Sequence, residues 1–109
     1  MKLGIWALPA LLWCAPCLAQ TYNLPIDFWL APRSGQAVRA EAQLQQALTA
    51  YLQSERTRIR VHHQKRDESI AQAEELRGWL IALGVEAARI ELTDENPLDA
   101  IKLEIMDIR

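Results

Sequence analysis

The chain has 109 residues and a mass of 12.4 kDa, and its composition is 50% apolar and 24% charged. This length is enough for one small domain and excludes a multidomain enzyme, while the apolar share excludes a fully disordered chain. The formal charge of −2 differs from the strong positive charge typical of a nucleic-acid-binding domain.

Residues 1–19 have the pattern of a secretory signal peptide. Lys2 provides the positive charge at the start, residues 3–12 are apolar, and Cys17 and Ala19 occupy the −3 and −1 positions of a cleavage site. Cleavage after Ala19 would remove both cysteines, so the exported chain would contain no disulfide. Loss of Lys2 would change the formal charge from −2 to −3. A retained N-terminal anchor is the alternative, although the apolar run is short for a hydrocarbon layer of about 30 Å.

Residues 22–30 are predicted to form the first strand, because apolar side chains recur at every second position from residue 26 onwards. A helix is then predicted to begin at Ser34 or Gly35 and to extend to about residue 54, since this segment is rich in Ala, Gln, Leu and Glu. The apolar stripe of this helix consists of Ala37, Leu44, Leu48, Tyr51 and Leu52.

The alternation in Thr57–His63 predicts a second strand with one apolar and one charged face. Ile59 and Val61 point toward the core, and His63 is expected on the same side as a partly buried residue at the strand end. His62 is expected on the exposed side. Because neighbouring strand residues face opposite ways, the two histidines are not expected to share a metal ion.

A second helix is predicted over residues 68–83, and Gly84 is expected to end it as a left-handed C-cap. Residues 88–93 predict a third strand, residues 94–99 a turn, and residues 101–109 a final strand. The buried stripe of the second helix is predicted to be Ile70, Ala73, Leu76, Leu80 and Leu83.

The element order is therefore β-α-β-α-β-β. It predicts an α+β two-layer sandwich, with two helices on one face of a four-stranded mixed sheet, because each helix has one apolar stripe to bury. The last two strands are joined by a turn too short for a crossover helix. They are expected either to be antiparallel neighbours or to be separated by one strand.

Five segments match the motifs of one known family. They are residues 26–28 (family motif F-D-F), 58–63 (the strand leading into G-H-T-D), 73–80 (R-A-x-x-V-x-x-Y-L), 83–90 (x-G-V-x-x-x-R-I) and 102–105 (R-R-V-E-I). In order and spacing the chain resembles the OmpA-like periplasmic domain, which anchors bacterial outer-membrane proteins and motor stators to peptidoglycan. The resemblance covers nearly all of residues 20–109 and implies a periplasmic location.

The resemblance also implies where a ligand would bind. In that family an Asp after the second strand and an Arg early in the second helix hold the diaminopimelate of the peptide stem, as carboxylate and guanidinium partners of a zwitterion. Here Gln72 falls at the Arg position and the turn lacks the Asp, so stem binding of the usual kind is not expected. Arg66 and Asp67 lie near the same helix start and could substitute. The candidate ligand-binding residues are His63, Gln64, Arg66, Asp67 and Gln72.

A basic stretch surrounds the second strand and consists of Arg56, Arg58, Arg60, Lys65 and Arg66. It fits an anionic polymer or an acidic partner, or else a solvated face neutralised by nearby acidic helices. Nucleic acid is not expected, because the stretch lacks aromatic residues for base stacking. Trp29 and Trp79 are interpreted as sealing the core margin or as anchoring a partner.

No catalytic constellation, metal site or cofactor motif is expected. The sequence favours a non-catalytic periplasmic module, acting as a cell-wall-associated or scaffolding domain in a secretion- or pilus-type envelope assembly. The expected partners are an envelope protein, peptidoglycan or both, with membrane contact only through a retained N-terminal segment. The alternatives are a peptidoglycan-binding protein with a relocated site, a small secreted enzyme or inhibitor, and an accessory domain of the ferredoxin-like type.

Overall fold

The computed structural model describes residues 19–107. The predicted signal peptide, apart from Ala19, lies outside the described residues. Within them the chain forms the strands β1 (Gln20–Asn23), β2 (Thr57–His63), β3 (Ile90–Asp94) and β4 (Lys102–Asp107), and the helices α1 (Ile26–Leu30), α2 (Gly35–Ala40), α3 (Ala42–Tyr51) and α4 (Asp67–Ala82). Over this range no helix combines the length and apolar character needed to cross a membrane.

The four strands form one mixed sheet in the order β1-β4-β2-β3. Strands β2 and β3 are parallel and are connected through α4, whereas β4 pairs antiparallel with both β1 and β2. The mixed four-stranded sheet is thus confirmed. Of the two arrangements expected for the last two strands, the second is correct, because β2 lies between β3 and β4.

The strands bury one face of the sheet. In register, Tyr22, Leu103, Val61 and Leu92 form one apolar row across it. These residues contact one hydrophobic core to which all four helices contribute, and the buried helical residues in it are Phe28, Val38, Leu44, Ala47, Tyr51, Ala73, Leu76 and Leu80. Helices and sheet are therefore compatible with the predicted two layers around a single core, but the described residues form four helices where two were predicted.

The prediction of a first strand at residues 22–30 is wrong for most of its length. The strand β1 ends at Asn23, and residues 26–30 form α1. In α1 only Phe28 is buried, whereas Ile26 and Leu30 are 60% and 75% exposed. Apolar residues two apart point to the same side of a strand but diverge on a helix, so the alternation did not identify a buried face here.

The predicted helix over residues 34–54 is present but divided. Ser34 caps α2 by accepting a hydrogen bond from the Ala37 backbone N–H at 3.1 Å. At Glu41 the backbone leaves the helical region, with ψ at 118°, and the Glu41 carboxylate caps α3 by accepting from the Gln43 N–H. The buried stripe of the divided helix also differs from the prediction, because Val38 is buried and Ala37 is exposed.

The remaining elements agree closely with prediction. Strand β2 has the predicted bounds, and α4 starts and ends one residue before the predicted helix. Gly84 ends α4 with a positive φ of 107°, as expected of a left-handed C-cap. A short 3-10 helix, Ala87–Arg89, precedes β3 and replaces the start of the predicted third strand. Residues 108–109 of the predicted last strand lie outside the described residues.

Two glycines of the α4 region give opposite predictions. Gly78 is inside the helix, and a Cβ there would meet no heavy atom within 4 Å outside the helix backbone. The Gly78→Ala variant should therefore gain about 0.5–1 kcal/mol in the free energy of unfolding. The Gly84→Ala variant should lose about 1–2 kcal/mol, because an L-residue is strained at that φ. Urea unfolding of both variants tests this, and equal effects would contradict the assigned end of α4.

Candidate functional site

The five ligand-binding residues predicted from the sequence lie at or near the start of α4. His63 ends β2, Gln64 follows it, Arg66 immediately precedes α4, and Asp67 is its first residue, whereas Gln72 lies in its second turn. The Gln64 side-chain amide donates to the Leu98 carbonyl, and the Gln64 backbone N–H donates to Ser69 Oγ at 2.8 Å. The Gln64 side chain therefore connects the loop after β2 with the loop between β3 and β4.

His63 is fixed at the strand end by its own neighbours. Its side chain is buried, its Nδ1 lies 2.8 Å from the Gln64 carbonyl oxygen, and its Nε2 lies 3.5 Å from Asp94 Oδ1. The Glu95 backbone N–H donates to the His63 carbonyl at 2.8 Å. The burial expected for His63 is confirmed, and these contacts hold the end of β2 against the loop after β3.

Arg66 and Asp67 project into solvent. The Arg66 guanidinium lies 3.7 Å from Glu68 Oε1, with both side chains more than half exposed. Asp67 is exposed and Gln72 is half-buried. The structure thus brings His63 and Gln64 together, and it leaves Arg66 and Asp67 as adjacent accessible charges at the helix start.

A second set of polar residues occupies the sheet face turned away from the helices, which we call the outer face. Two rows cross it in register, and their members are Thr21, Glu104, Arg60 and Glu91 in one row and Asn23, Lys102, His62 and Thr93 in the other. Because side chains alternate along a strand, these rows lie opposite the apolar rows of the core. Every strand of the sheet contributes to this face.

His62 lies between two carboxylates of the outer face. Its Nε2 is 2.8 Å from Glu104 Oε1, in hydrogen-bond geometry, and its Nδ1 is 2.8 Å from Glu95 Oε1 without that geometry. The residue is 8% exposed. The prediction of an exposed His62 is therefore wrong: the residue does face away from the core, but acidic side chains from β4 and from the loop after β3 cover it.

The charges of the outer face alternate in sign from one contact to the next. Arg60 lies 3.4 Å from Glu91 and 3.9 Å from Glu104, and Lys102 Nζ lies 3.3 Å from Glu95 Oε2. Arg60 of the basic stretch is thus paired with acids of β3 and β4, whereas Arg66 is paired with Glu68 of α4, so the acidic helices proposed from the sequence neutralise only part of the stretch. Such a face does not present the single-sign field that attracts a polyanion.

Within the described residues, the outer face is better suited to binding a partner than to holding a reactive group. No group of three or more His, Cys, Asp and Glu side chains is placed there to hold a metal ion. Arg58 is exposed at one end of the face, and its Nη1 donates to the Ala88 carbonyl at 3.1 Å. The arrangement can supply paired charges and hydrogen bonds to a partner.

Sequence reasoning missed a second charged cluster, which joins the loop after α1 to α4. Arg33 makes two contacts to the Glu75 carboxylate, at 2.5 and 2.9 Å, and Trp79 Nε1 donates to the same carboxylate at 3.0 Å. The Arg33 guanidinium also lies 5.0 Å from the centre of the Trp29 ring. Both tryptophans pack against the core margin, as one of the two sequence interpretations proposed. The pairing spans 42 residues, so no local pattern could reveal it.

The Arg33 contact lowers the pKa of Glu75. The hydrogen bond from Arg33 is the largest cause, burial opposes it, and the bond from Trp79 adds to the lowering. A depressed folded-state pKa means that the ionised carboxylate stabilises the fold above the unfolded-state pKa, and that this stability is lost as the pH falls through the folded-state pKa.

The Glu75→Gln variant should reveal this dependence. At pH 7 it should be less stable than the parent by up to about 1 kcal/mol, since the pair is partly exposed to solvent. The deficit should shrink as the pH falls through the lowered folded-state pKa of Glu75, where the parent carboxyl also becomes neutral. Urea unfolding at several pH values measures it. Glu74→Gln is the matched control because Glu74 is exposed on the same helix, and a pH-independent deficit for Glu75→Gln would contradict the prediction.

No family model, no curated protein and no solved structure matches this chain. The likeness to OmpA-like domains therefore stays a prediction from motifs and their order. Its first motif, at residues 26–28, falls in α1 and not in the strand that the family pattern requires.

Proposed function

We propose that this chain is an exported, non-catalytic module of the bacterial cell envelope with an OmpA-like architecture. It acts as a scaffold that binds a protein partner on one side and associates with the cell wall on another. The signal-peptide pattern of residues 1–19 supports export. The order of elements, with helices on one face of a mixed sheet, supports the architecture.

The proposal depends mainly on the outer face. Its charged side chains contact one another, and acidic and basic residues are present in similar number. Its ion pairs and the His62–Glu104 hydrogen bond fix long side chains before any partner binds, and this lowers the entropic cost of binding. A partner suited to this face is a polypeptide surface on which acidic and basic side chains also alternate, because complementary charges determine register and specificity. The outer face therefore supports a protein-interaction role better than recognition of a uniformly anionic polymer.

Reversing one charge at the edge of the outer face tests this role. Arg58 is exposed there, so Arg58→Glu changes the surface with little effect on the internal pairs. Arg39→Glu is the matched control, because Arg39 is an exposed arginine of α2, in the other layer. Proteins crosslinked to the full chain in the envelope would be identified, purified and titrated against each variant.

The Arg58→Glu variant is expected to bind its partner at least about tenfold more weakly, with a salt dependence that the parent shows and the variant loses. The Arg39→Glu variant should bind as the parent does. Equal binding by all three proteins would overturn the assignment of the outer face as the interaction surface.

A relocated peptidoglycan site at Arg66 and Asp67 is the second candidate, favoured by their exposure at the start of α4. An anionic group of the stem would meet the backbone N–H groups there, and an ammonium would meet Asp67. Co-sedimentation with purified sacculi distinguishes the cases. Binding that survives Gln72→Ala but fails with Arg66→Ala and Asp67→Ala supports this site, whereas binding unaffected by all three changes rejects it.

The two remaining alternatives receive less support. A small secreted enzyme would need a cleft around His63, which does not line the grooves beside α3, beside Arg58 or beside the start of α1 in the described residues. A ferredoxin-like accessory domain has the order β-α-β-β-α-β, whereas here all four helices precede β3 and no helix lies between β3 and β4 in the described residues.

A further inference from the structure

A wide groove of about 730 Å³ lies between α3 and the β1 edge of the sheet. This volume is within the range of small-molecule sites, roughly 300–1,000 Å³. Uncharged polar side chains from both layers line it, among them Gln20 and Tyr22 of β1 and Gln46 and Gln53 of the α3 segment, and Asp107 is its single charged residue. It is separate from the start of α4, where the sequence placed the ligand.

At one corner of the groove an exposed polar residue, Gln20, begins the edge strand β1 on the sheet face that carries the helices. Gln20 is in register with Ile105, which is in register with Ile59, so this row would be expected to continue with an apolar residue. The sheet is thus left open to solvent at this corner.

The helix that faces Gln20 departs from the apolar pattern in the same way. Gln46, Ala50 and Gln53 are spaced i, i+4 and i+7, beside the buried stripe that includes Ala47 and Tyr51. The alanine and glutamine side chains at these positions do not pack against β1 as leucine side chains would. Both walls of the groove therefore carry uncharged polar side chains, next to apolar ones such as Ala50 and Ile105.

Hydrogen bonds within the protein orient several of these groups. Tyr22 Oη donates to Gln20 Oε1 at 2.6 Å, which leaves the Gln20 amide nitrogen as a donor toward the groove. The Gln45 and Gln53 amide nitrogens donate to the carbonyls of Arg39 and Thr49, so their amide oxygens stay available as acceptors. The groove thus offers several uncharged donors and acceptors, with Asp107 as its single charged side chain.

We propose that this groove binds an uncharged glycan strand that carries hydroxyl and acetamido groups. Such a ligand both donates and accepts hydrogen bonds, as amide side chains do, and needs no counter-charge. Among the lining side chains only Asp107 is charged, and in the chain cleaved after Ala19 the α-amino group of Gln20 adds a charge of opposite sign, so neither an anionic nor a cationic ligand meets a net charge here. The inference rests on the proposed function, since it supplies the wall contact that the missing peptide-stem clamp does not.

Titration with chitotetraose, an oligomer of N-acetylglucosamine, tests the groove directly. The protein obtained by export of the full chain is used, and backbone amide shifts are followed by NMR. Shifts are expected along α3 and β1, and Gln46→Ala should weaken binding by about five- to tenfold, the loss typical of one hydrogen-bonding side chain. Gln36→Ala is the matched control, because Gln36 is exposed on α2 outside the groove. Absence of binding, or equal binding by Gln46→Ala and the parent, would overturn the proposal.

A sacculus pull-down separates this inference from the proposed function. Saturable chitotetraose binding at the groove without sacculus binding would support the groove and reject wall association. Sacculus binding that Gln46→Ala leaves unchanged would support wall association and reject the groove as the contact. Loss of both with Gln46→Ala, in a variant whose unfolding midpoint matches that of the parent, would support both.

Discussion

Replacing Leu80 with alanine is expected to lower the free energy of unfolding by about 2–5 kcal/mol, as is typical of a fully buried leucine. Leu80 is 0% exposed in the α4 stripe that packs on β2 and β3. Since a small domain has a total stability of only about 5–15 kcal/mol, this single change should bring the fold close to unfolding. Urea denaturation followed by circular dichroism measures the loss.

Ile81→Ala is the matched control for this prediction. Ile81 is the next residue of α4 and is 39% exposed. Its replacement should therefore cost less than about 1 kcal/mol, because little apolar area is removed from the core. If Ile81→Ala were as damaging as Leu80→Ala, α4 would bury a different face and the two-layer arrangement would be wrong.

The second large effect is expected at Glu104, on the outer face. Its carboxylate accepts from His62 Nε2 at 2.8 Å and lies 3.9 Å from Arg60, and its side chain is 20% exposed. The Glu104→Ala variant leaves the buried imidazole and the half-buried guanidinium without this partner. The free energy of unfolding should fall by about 1–3 kcal/mol, with a decrease in Tm of about 4–8 °C for each kcal/mol.

Glu91→Ala provides the comparison, because Glu91 contacts the same arginine from the other side. Its side chain is 52% exposed and lies 3.4 Å from Arg60. An exposed pair of this kind contributes about 0–1 kcal/mol, so Glu91→Ala should leave the thermal midpoint almost unchanged. Equal losses in the two variants would show that the contacts of Glu104 with His62 add nothing to the outer face.

The elements predicted correctly are mainly those with one buried side, because burial on one side produces a periodic pattern of apolar residues. Thr57–His63 alternates strictly because β2 is central, with helices over one face and charged rows on the other. The C-cap at Gly84 follows from local backbone geometry, which needs no tertiary information. Helix α4 is identified by Leu76 and Leu80, one turn apart on its buried face.

The errors occur where tertiary contacts override local pattern. Strand β1 is polar and lies at the sheet edge, so only its pairing with β4 defines it. The alternation at residues 26–30 reflects exposed Ile26 and Leu30, which no core position requires. The break at Glu41 contains neither Gly nor Pro, the usual signals of a helix end.

The candidate site was accessible to sequence reasoning only in part. The alternation of β2 correctly placed His62 and Arg60 on the face opposite the core. The carboxylates that cover His62 come from Glu95 and Glu104, which are 33 and 42 residues away along the chain. Such contacts depend on the strand order, which the sequence pattern left open.

The most direct test of the central claim is the mass and location of the protein made from the full chain in a bacterial host. The proposed export predicts a periplasmic protein whose N-terminus is Gln20, since we propose cleavage after Ala19. A chain that keeps Met1 and stays in the cytoplasm would contradict the assignment to the cell envelope.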